Sequence, residues 1–119
     1  MARIKDRDKL HEASISTVKS ISKQKDLNSI SGVIHRPPLK NQLNTQTAPS
    51  STNQLNSYRG ASDFQAFWHL YHEEVAEIPL TKEARKIFNE LELARVEILG
   101  SIEFRGSKTN INEYIKNKI

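Results

Sequence analysis

Three side chains that could bind a metal ion lie within five residues of one another. His69, His72 and Glu73 would occupy positions i, i+3 and i+4 of a helix, where two imidazoles can chelate zinc and a carboxylate can act as ligand or base. The zinc-protease pattern instead needs two histidines four residues apart, with glutamate directly after the first. The sequence also has no cysteine to complete a ligand set. The spacing therefore favours solvated or structural histidines, and a small metal-binding enzyme built on these residues is kept as an alternative.

A second group of charged side chains could suggest acid–base chemistry. Glu92 and Arg95 are three residues apart and can form an ion pair on one helix face, whereas Glu97 points elsewhere. Nearby residues do not supply a nucleophile, a base and a group to orient the base. No GxxxxGK[ST] phosphate-binding loop occurs in the sequence. We therefore expect a structural ion pair at the edge of an interface, with no catalytic residue and no cofactor held by this chain.

These charges belong to the strongest helix signal in the sequence, residues 84–101. Thr81 can cap this helix, and Gly100 is expected just past its end. Apolar residues cover more than a single stripe, which is typical of a buried helix. We therefore expect the helix either to pack inside its own domain or to face another protein. Its predicted principal face comprises Ala84, Ile87, Phe88, Leu91, Ala94, Arg95 and Ile98.

A preceding helix is predicted from Ser62 to the residues before Pro79. Ser62 and Gln65 fit a capping box, and proline stops a helix. An apolar stripe at helical spacing comprises Phe64, Phe67, Trp68, Tyr71, Val75 and Ile78. The short connection at Pro79 and Leu80 predicts an antiparallel helical hairpin. After this hairpin, Thr109 can cap a third, short helix.

The first half of the chain carries weaker structural signals. Residues 10–21 show an amphipathic pattern diluted by serines, which predicts a marginal helix within a basic N-terminal segment, residues 1–28. Residues 41–57 are uncharged and rich in Asn, Gln, Ser and Thr, and such a stretch buries too little apolar surface to offset its ordering entropy. We therefore predict a disordered linker over residues 29–57 and a helical module over residues 58–119. The predicted fold class is all-α: a small helical hairpin plus a short third helix, preceded by a weak N-terminal helix and the linker.

Composition and charge narrow the possible function classes. Hydrophobic residues make up 36% of the chain, so we expect that part of it does not fold. The net charge is +4, yet residues 61–104 carry four Lys and Arg against nine Asp and Glu, and both flanks are basic. A nucleic-acid-binding domain would have a basic folded surface instead. No apolar run reaches the roughly 20 residues of a membrane span, and the charged start is unlike a secretory signal. We expect a cytoplasmic protein that binds neither nucleic acid nor membrane, with a basic arm that can meet an acidic partner.

The aromatic residues of the first long helix predict an interaction surface. Trp and Tyr are favoured anchors at protein interfaces. A module this small also buries little surface by itself, so we expect part of the apolar stripe to face a partner. The predicted interaction residues are Trp68, Tyr71, His72, Phe88, Glu92, Arg95 and Glu97.

Several short motifs follow one another in a fixed order across residues 58–119. They are Arg59-Gly60, Asp63, His72-Glu73, Ala84-Arg85-Lys86-Ile87-Phe88, Glu92, Ala94-Arg95-Val96-Glu97, Leu99-Gly100, Gly106 and Asn110. With this set the region resembles the N-terminal region of the CobT subunit of aerobic cobaltochelatase. Residues 13–27 resemble the first helix of that family more weakly. Two departures are Ala76, where the family often has a second histidine, and residues 28–57, which match poorly.

The resemblance implies a part in the ATP-driven insertion of cobalt into a corrin ring during cobalamin synthesis. In that family this subunit is a non-catalytic adaptor beside an AAA+ ATPase subunit and a large chelating subunit, and ATP, Mg²⁺ and cobalt belong to the complex. Family members continue through an acidic stretch to a von Willebrand factor A-like domain. Because the chain stops before these parts, we expect a truncated adaptor-type fragment, or one completed by a separately encoded C-terminal half. The alternative is a truncated or repurposed helical interaction protein with no chelatase role.

Overall fold

Helix α2, Leu55–Tyr71, is the central element of the fold. The computed structural model describes residues 6–73 and 80–116. Within these residues three further helices pack against α2. They are α1, Arg7–Ser22; α3, Lys82–Glu103; and α4, Ser107–Lys116. The prediction of a mostly helical fold is confirmed, and the marginal N-terminal helix is a regular helix capped by Asp6, which accepts a hydrogen bond from the Lys9 amide at 3.0 Å.

The segment between α1 and α2 is ordered at two short strands. Strand β1, Asn28–Ser31, pairs in parallel with β2, Gln42–Thr45, so the fold is not purely all-α. Leu43 of β2 packs with Val18, Leu27 and Ala66 in a small apolar cluster. The predicted disorder over residues 29–57 is therefore wrong at the strands, because a few buried side chains order a stretch whose average composition is polar. The boundary of a separate module at residue 58 stays a prediction.

Gln65 joins β2 to α2 through its side-chain amide. The Asn44 amide donates to Gln65 Oε1 at 2.8 Å, and Gln65 Nε2 donates to the Asn44 carbonyl at 2.9 Å. The capping box predicted at Ser62 and Gln65 is wrong, because α2 begins at Leu55 and both residues lie inside the helix. Ser62 instead shares a 2.7 Å hydrogen bond with Ser14 of α1. The polar side chains that looked like a helix start are thus contacts between elements.

Helix α2 is buried on most of its sides because α1, β2, α3 and α4 surround it. Its buried residues are Tyr58, Gly60, Ala61, Asp63, Phe64, Gln65, Ala66, Phe67 and Trp68. Gly60 allows α4 to approach, since a Cβ at this position would lie 2.0 Å from the carbonyl oxygen of Asn110. Helix α4 begins at Ser107, two residues before the predicted cap at Thr109, and Ser107 is itself buried.

Helix α3 packs on α2 in the opposite chain direction, with Gly100 near Phe67 and Glu92 near His72. Thr81 caps α3 as predicted and accepts a hydrogen bond from the Ala84 amide at 3.1 Å. The prediction that the helix ends before Gly100 is wrong, because α3 continues to Glu103. A Cβ at Gly100 would lie 2.2 Å from the Phe67 ring. Glycine is therefore required here for close packing of two helices and not for ending one.

The predicted principal face of α3 is largely its exposed face. The buried residues of the helix are Leu93, Val96 and Gly100. Four aliphatic side chains point outward: Ile87 (62% exposed), Leu91 (67%), Ile98 (60%) and Ile102 (67%). The helix carries two apolar stripes, and the one that contains a glycine packs because it permits the closer approach. We call Ile87, Leu91, Ala94, Ile98 and Ile102 the outer stripe.

The end of the first predicted long helix lies outside the described part of the chain. This applies to Val75 and Ile78 of its apolar stripe and to Pro79, which was predicted to stop it. The remaining stripe residues form the main core with residues from α3, α4 and the segment before β2. The buried members of this core are Ile34, Ala61, Phe64, Phe67, Trp68, Leu93, Val96, Ile111 and Tyr114. None of the helices in residues 6–73 and 80–116 combines the length and apolar character needed to cross a bilayer.

Candidate functional site

Two adjoining features occupy the end of α2 and the facing part of α3. The first is a hydrogen-bonded group of His72, Glu92 and Arg95, which we call the junction cluster. The second is an open cavity against the indole of Trp68, which we call the Trp68 cavity. Most of the interaction residues predicted from the sequence belong to one or both of them.

The junction cluster is centred on the carboxylate of Glu92. Arg95 donates two hydrogen bonds to it, from Nε to Oε1 at 2.6 Å and from Nη2 to Oε2 at 3.0 Å. His72 Nδ1 donates to Oε2 at 2.7 Å, and the Glu73 amide adds a bond of 3.3 Å. The hydrogen bonds from Arg95, supported by His72, lower the pKa of Glu92 to about 2. Glu92 and Arg95 thus form the ion pair that their spacing predicts.

Arg95 also completes the end of α2. Its Nη2 donates to the carbonyl of Tyr71 at 2.8 Å, one of the terminal carbonyls that lack a partner within a helix. On the next residue, the ring of His72 stacks on Trp68 with centroids 4.1 Å apart and an interplanar angle of 14°. The Tyr71 hydroxyl donates to the carboxylate of Glu103. The cluster therefore fixes the last turn of α2 against α3, which is a structural task.

Glu97 belongs to a different contact, as the sequence predicts from its position on the helix. Arg36 Nη2 lies 3.3 Å from Glu97 Oε1, and the Arg36 guanidinium lies 4.5 Å from the centroid of the Phe64 ring. Burial raises the pKa of Glu97, while Arg36 acts in the opposite direction. This pair ties the segment before β2 to α3.

The Trp68 cavity has a volume of about 660 Å³. It lies between α2, α3 and the loop that precedes β2. The described residues that line it are Gln24, Pro37, Pro38, Leu39, Lys40, Asn41, Trp68, His69, His72, Arg85, Phe88 and Asn89. His69 fixes the wall of the cavity, since its Nε2 donates to the Gln42 carbonyl at 2.7 Å and its own carbonyl accepts from Gln24 Nε2 at 2.8 Å. Burial lowers the pKa of His69.

The three candidate metal ligands do not converge. His69 Nε2 is bonded to a strand carbonyl, His72 Nδ1 is bonded to Glu92, and the side chain of Glu73 is exposed. In residues 6–73 and 80–116, no three His, Cys, Asp or Glu side chains form a group that could hold a metal ion. The arrangement supports packing and hydrogen bonding at these positions.

The predicted interaction residues are mostly engaged within their own chain. Trp68 is 6% exposed, and the side chains of Glu92 and Glu97 are 11% and 17% exposed. Tyr71, His72 and Phe88 are half-buried, and Arg95 is the exposed member of the set. Their part in binding a partner stays a prediction. The outer stripe of α3 overlaps the predicted principal face of that helix, which was expected either to pack inside the domain or to face another protein, and it is exposed in this chain.

Comparison with known families identifies the chain. A family model described as "Cobalamin biosynthesis protein CobT" matches residues 5–119, nearly the whole sequence. The chain belongs to the CobT family. It is thereby related to cobalamin biosynthesis. No curated protein and no solved structure matches the chain.

The motifs through which the sequence resembles CobT meet in space at two places. Glu92, Arg95 and His72 form the junction cluster. Gly60, Asp63 and Asn110 meet at the contact of α2 with α4, where hydrogen bonds from Ser107 and Asn110 oppose the effect of burial, which raises the pKa of Asp63. These six motif residues therefore lie at the contacts that hold α3 and α4 on α2.

Proposed function

We propose that this protein is an adaptor-type, non-catalytic component of an ATP-dependent cobaltochelatase, which inserts cobalt into the corrin ring during cobalamin biosynthesis. Its proposed partners are the AAA+ ATPase subunit and the large chelating subunit. ATP, Mg²⁺ and cobalt would be handled by those partners, with cobalt as the substrate of the complex. Membership of the CobT family supports the pathway, and the surface of α3 supports the adaptor role.

The single observation that carries the adaptor role is the outer stripe. Four of its side chains are 60–67% exposed, and they follow one side of a 22-residue helix. From Ile87 to Ile102 the stripe is about 22 Å long at 1.5 Å per residue. Contiguous exposed apolar surface of this kind marks sites of protein interaction. Burial of each side chain in a complex would contribute roughly 1.5–3 kcal/mol.

Charged residues beside the outer stripe indicate what kind of partner surface would be complementary to it. Glu83 and Glu90 line its N-terminal part together with Ile87 and Leu91, and Lys86 lies on the same edge. The partner surface would therefore be an apolar groove with a mainly basic rim. The junction cluster and the contact of Phe67 with Gly100 hold α3 in place from the opposite side, so the stripe is presented on a fixed helix.

Binding of the full chain to the purified AAA+ ATPase subunit and to the large chelating subunit tests the proposal. Leu91→Lys should weaken binding at least about 10-fold, because it removes apolar burial and places a charge in the interface. The matched control is Val33→Lys, which makes the same kind of change at a residue that is 81% exposed and distant from α3 in sequence. Circular dichroism should show both variants folded.

Two outcomes would contradict the proposal. If the wild-type chain binds neither subunit, a helical interaction protein without a chelatase role takes its place. If it binds but Leu91→Lys binds as tightly as Val33→Lys, the outer stripe is not the contact surface.

A further inference from the structure

The Trp68 cavity shares no lining residue with the outer stripe, and its volume and chemistry suit a ligand. Small-molecule sites have volumes of roughly 300–1,000 Å³ and apolar walls with a few placed polar groups. The volume of about 660 Å³ falls inside that range. We infer that the Trp68 cavity binds a small organic anion with a flat, apolar body, such as an aromatic carboxylate.

The walls of the cavity favour a flat apolar body. The lining includes the stacked rings of Trp68 and His72 and the ring of Phe88 of α3. It also includes Pro37, Pro38 and Leu39 of the loop that precedes β2. Aromatic rings pack well against flat ring faces and against proline, and each such contact makes binding of a flat apolar ligand more favourable. The opening toward solvent leaves room for a charged end to stay hydrated.

The polar groups of the cavity favour a negative charge. Its lining among residues 6–73 and 80–116 contains no Asp or Glu, although α3 itself is rich in Glu. Arg85 lines the cavity from the first turns of α3, and its side chain makes no hydrogen bond or ion pair to the described parts of the chain. The side-chain amides of Asn41 and Asn89 can donate further hydrogen bonds. A guanidinium binds a carboxylate through two parallel hydrogen bonds.

Among residues 6–73 and 80–116, the carboxylates of Glu83, Glu90 and Glu92 lie outside the lining of the cavity that contains Arg85. Glu92 is the carboxylate of the adjoining junction cluster, and it is held by Arg95, His72 and the Glu73 amide. Glu83 and Glu90 line the outer stripe together with Lys86, one residue after Arg85. Lys86 thus provides a cation next to Arg85 in sequence that does not line the cavity.

Trp68 makes the test specific, because it is the only tryptophan in the chain. A ¹H–¹⁵N spectrum of the full-length protein therefore contains a single indole N–H signal, which reports on this cavity. The probes are 2-naphthoate and its uncharged counterpart 2-naphthamide. We expect a saturable shift of the indole signal with naphthoate, at least about 10-fold tighter than with naphthamide.

Two matched variants distinguish the contribution of Arg85 to ligand binding from that of the adjacent Lys86. Arg85→Gln should reduce naphthoate affinity at least about 5-fold and bring it toward that of naphthamide, whereas Lys86→Gln should leave it unchanged. In the wild-type protein, raising NaCl from about 50 to 500 mM should weaken naphthoate binding and not naphthamide binding, because salt screens exposed charges. The salt comparison uses the wild-type protein alone, so its result does not depend on whether a variant folds.

Three results would overturn the inference. They are the absence of a saturable indole shift with naphthoate, equal affinities for the acid and the amide, and equal effects of the Arg85 and Lys86 substitutions. Each of them is independent of whether the protein binds cobaltochelatase subunits, so the two proposals can fail separately.

Discussion

Helices α2 and α3 are both rich in apolar residues, yet the fold uses them differently. Helix α2 has 17 residues and is buried on most sides, whereas α3 has 22 residues and buries Leu93, Val96 and Gly100. The stability of the domain therefore depends on α2 and on the elements that pack against it, which include α1, α4 and the inner side of α3. The apolar residues on the far side of α3 contribute little to folding, which leaves them available for a partner.

The largest expected effect on the free energy of unfolding is at the buried face of α2. Phe67 of α2 is fully buried between Gly100 and Phe104, with 5.5 Å between its ring centroid and that of Phe104. Phe67→Ala should lower the free energy of unfolding by about 3–5 kcal/mol, because it removes apolar burial and leaves a cavity. Urea denaturation followed by circular dichroism measures the change.

Ile98→Ala is the matched change on the outer stripe. It should alter the free energy of unfolding by less than about 0.5 kcal/mol, since the side chain is largely in water and alanine is a good helix former. A loss of more than about 2 kcal/mol in Ile98→Ala would show that the outer stripe is part of the folding core.

An intermediate effect is expected where α2 holds a strand. Gln65→Leu should destabilise the protein by about 2–3 kcal/mol, because the backbone amide and carbonyl of Asn44 would lose their partners in a buried position. Urea denaturation measures the loss, and Gln46→Leu is the control at an exposed position just after β2. An unchanged unfolding midpoint in Gln65→Leu would mean that β2 does not depend on α2.

A smaller loss than at Gln65 is expected at the junction cluster, and it should depend on pH. The pKa of Glu92 lies at about 2 in the folded protein against an ordinary value of 4.5. A lowered carboxyl pKa stabilises the fold above pH 4.5, and this stabilisation is lost as the pH falls toward 2. Glu92→Gln should therefore cost on the order of 1 kcal/mol at pH 7 and progressively less below pH 4.5.

Urea titrations of the wild type and of Glu92→Gln at pH 7, 4 and 3 measure this difference. Glu90→Gln, an exposed change on the same helix, serves as the reference. A stability difference that stayed constant across this pH range would contradict the role of the Glu92 carboxylate.

Local signals in the sequence were sufficient for several elements. The cap at Thr81, the pairing of Glu92 with Arg95 and the helical pattern of residues 10–21 depend on neighbours within one or two turns, and each was predicted. The packing side of α3 could not be predicted, because both of its stripes are apolar. The decision depends on Phe67, which is distant in sequence and requires a glycine opposite its ring.

The site was harder to predict than the helices because its partners are far apart in sequence. The sequence suggested that Gln65 was part of a helix cap. Its actual partners are the backbone amide and carbonyl of Asn44, and because every residue type has these groups, the sequence does not reveal the contact. Trp68 was predicted as an interaction residue from its residue type, and its place in the lining of a cavity depends on residues 37–41, which are distant in sequence. The sequence places Arg85 in a motif but does not place it in a cavity. That position depends on residues 37–41, which are distant in sequence and line the same cavity.

The bond between Gln65 and Asn44 has a consequence for the solution behaviour of the protein. Residues 41–57 carry no charge, and β2 within them is rich in Asn and Gln. Uncharged strands of this composition are prone to pair with other chains when their edges are free. A partial opening that separates β2 from α2 would expose such an edge, so we expect the side-chain amide of Gln65 also to limit aggregation.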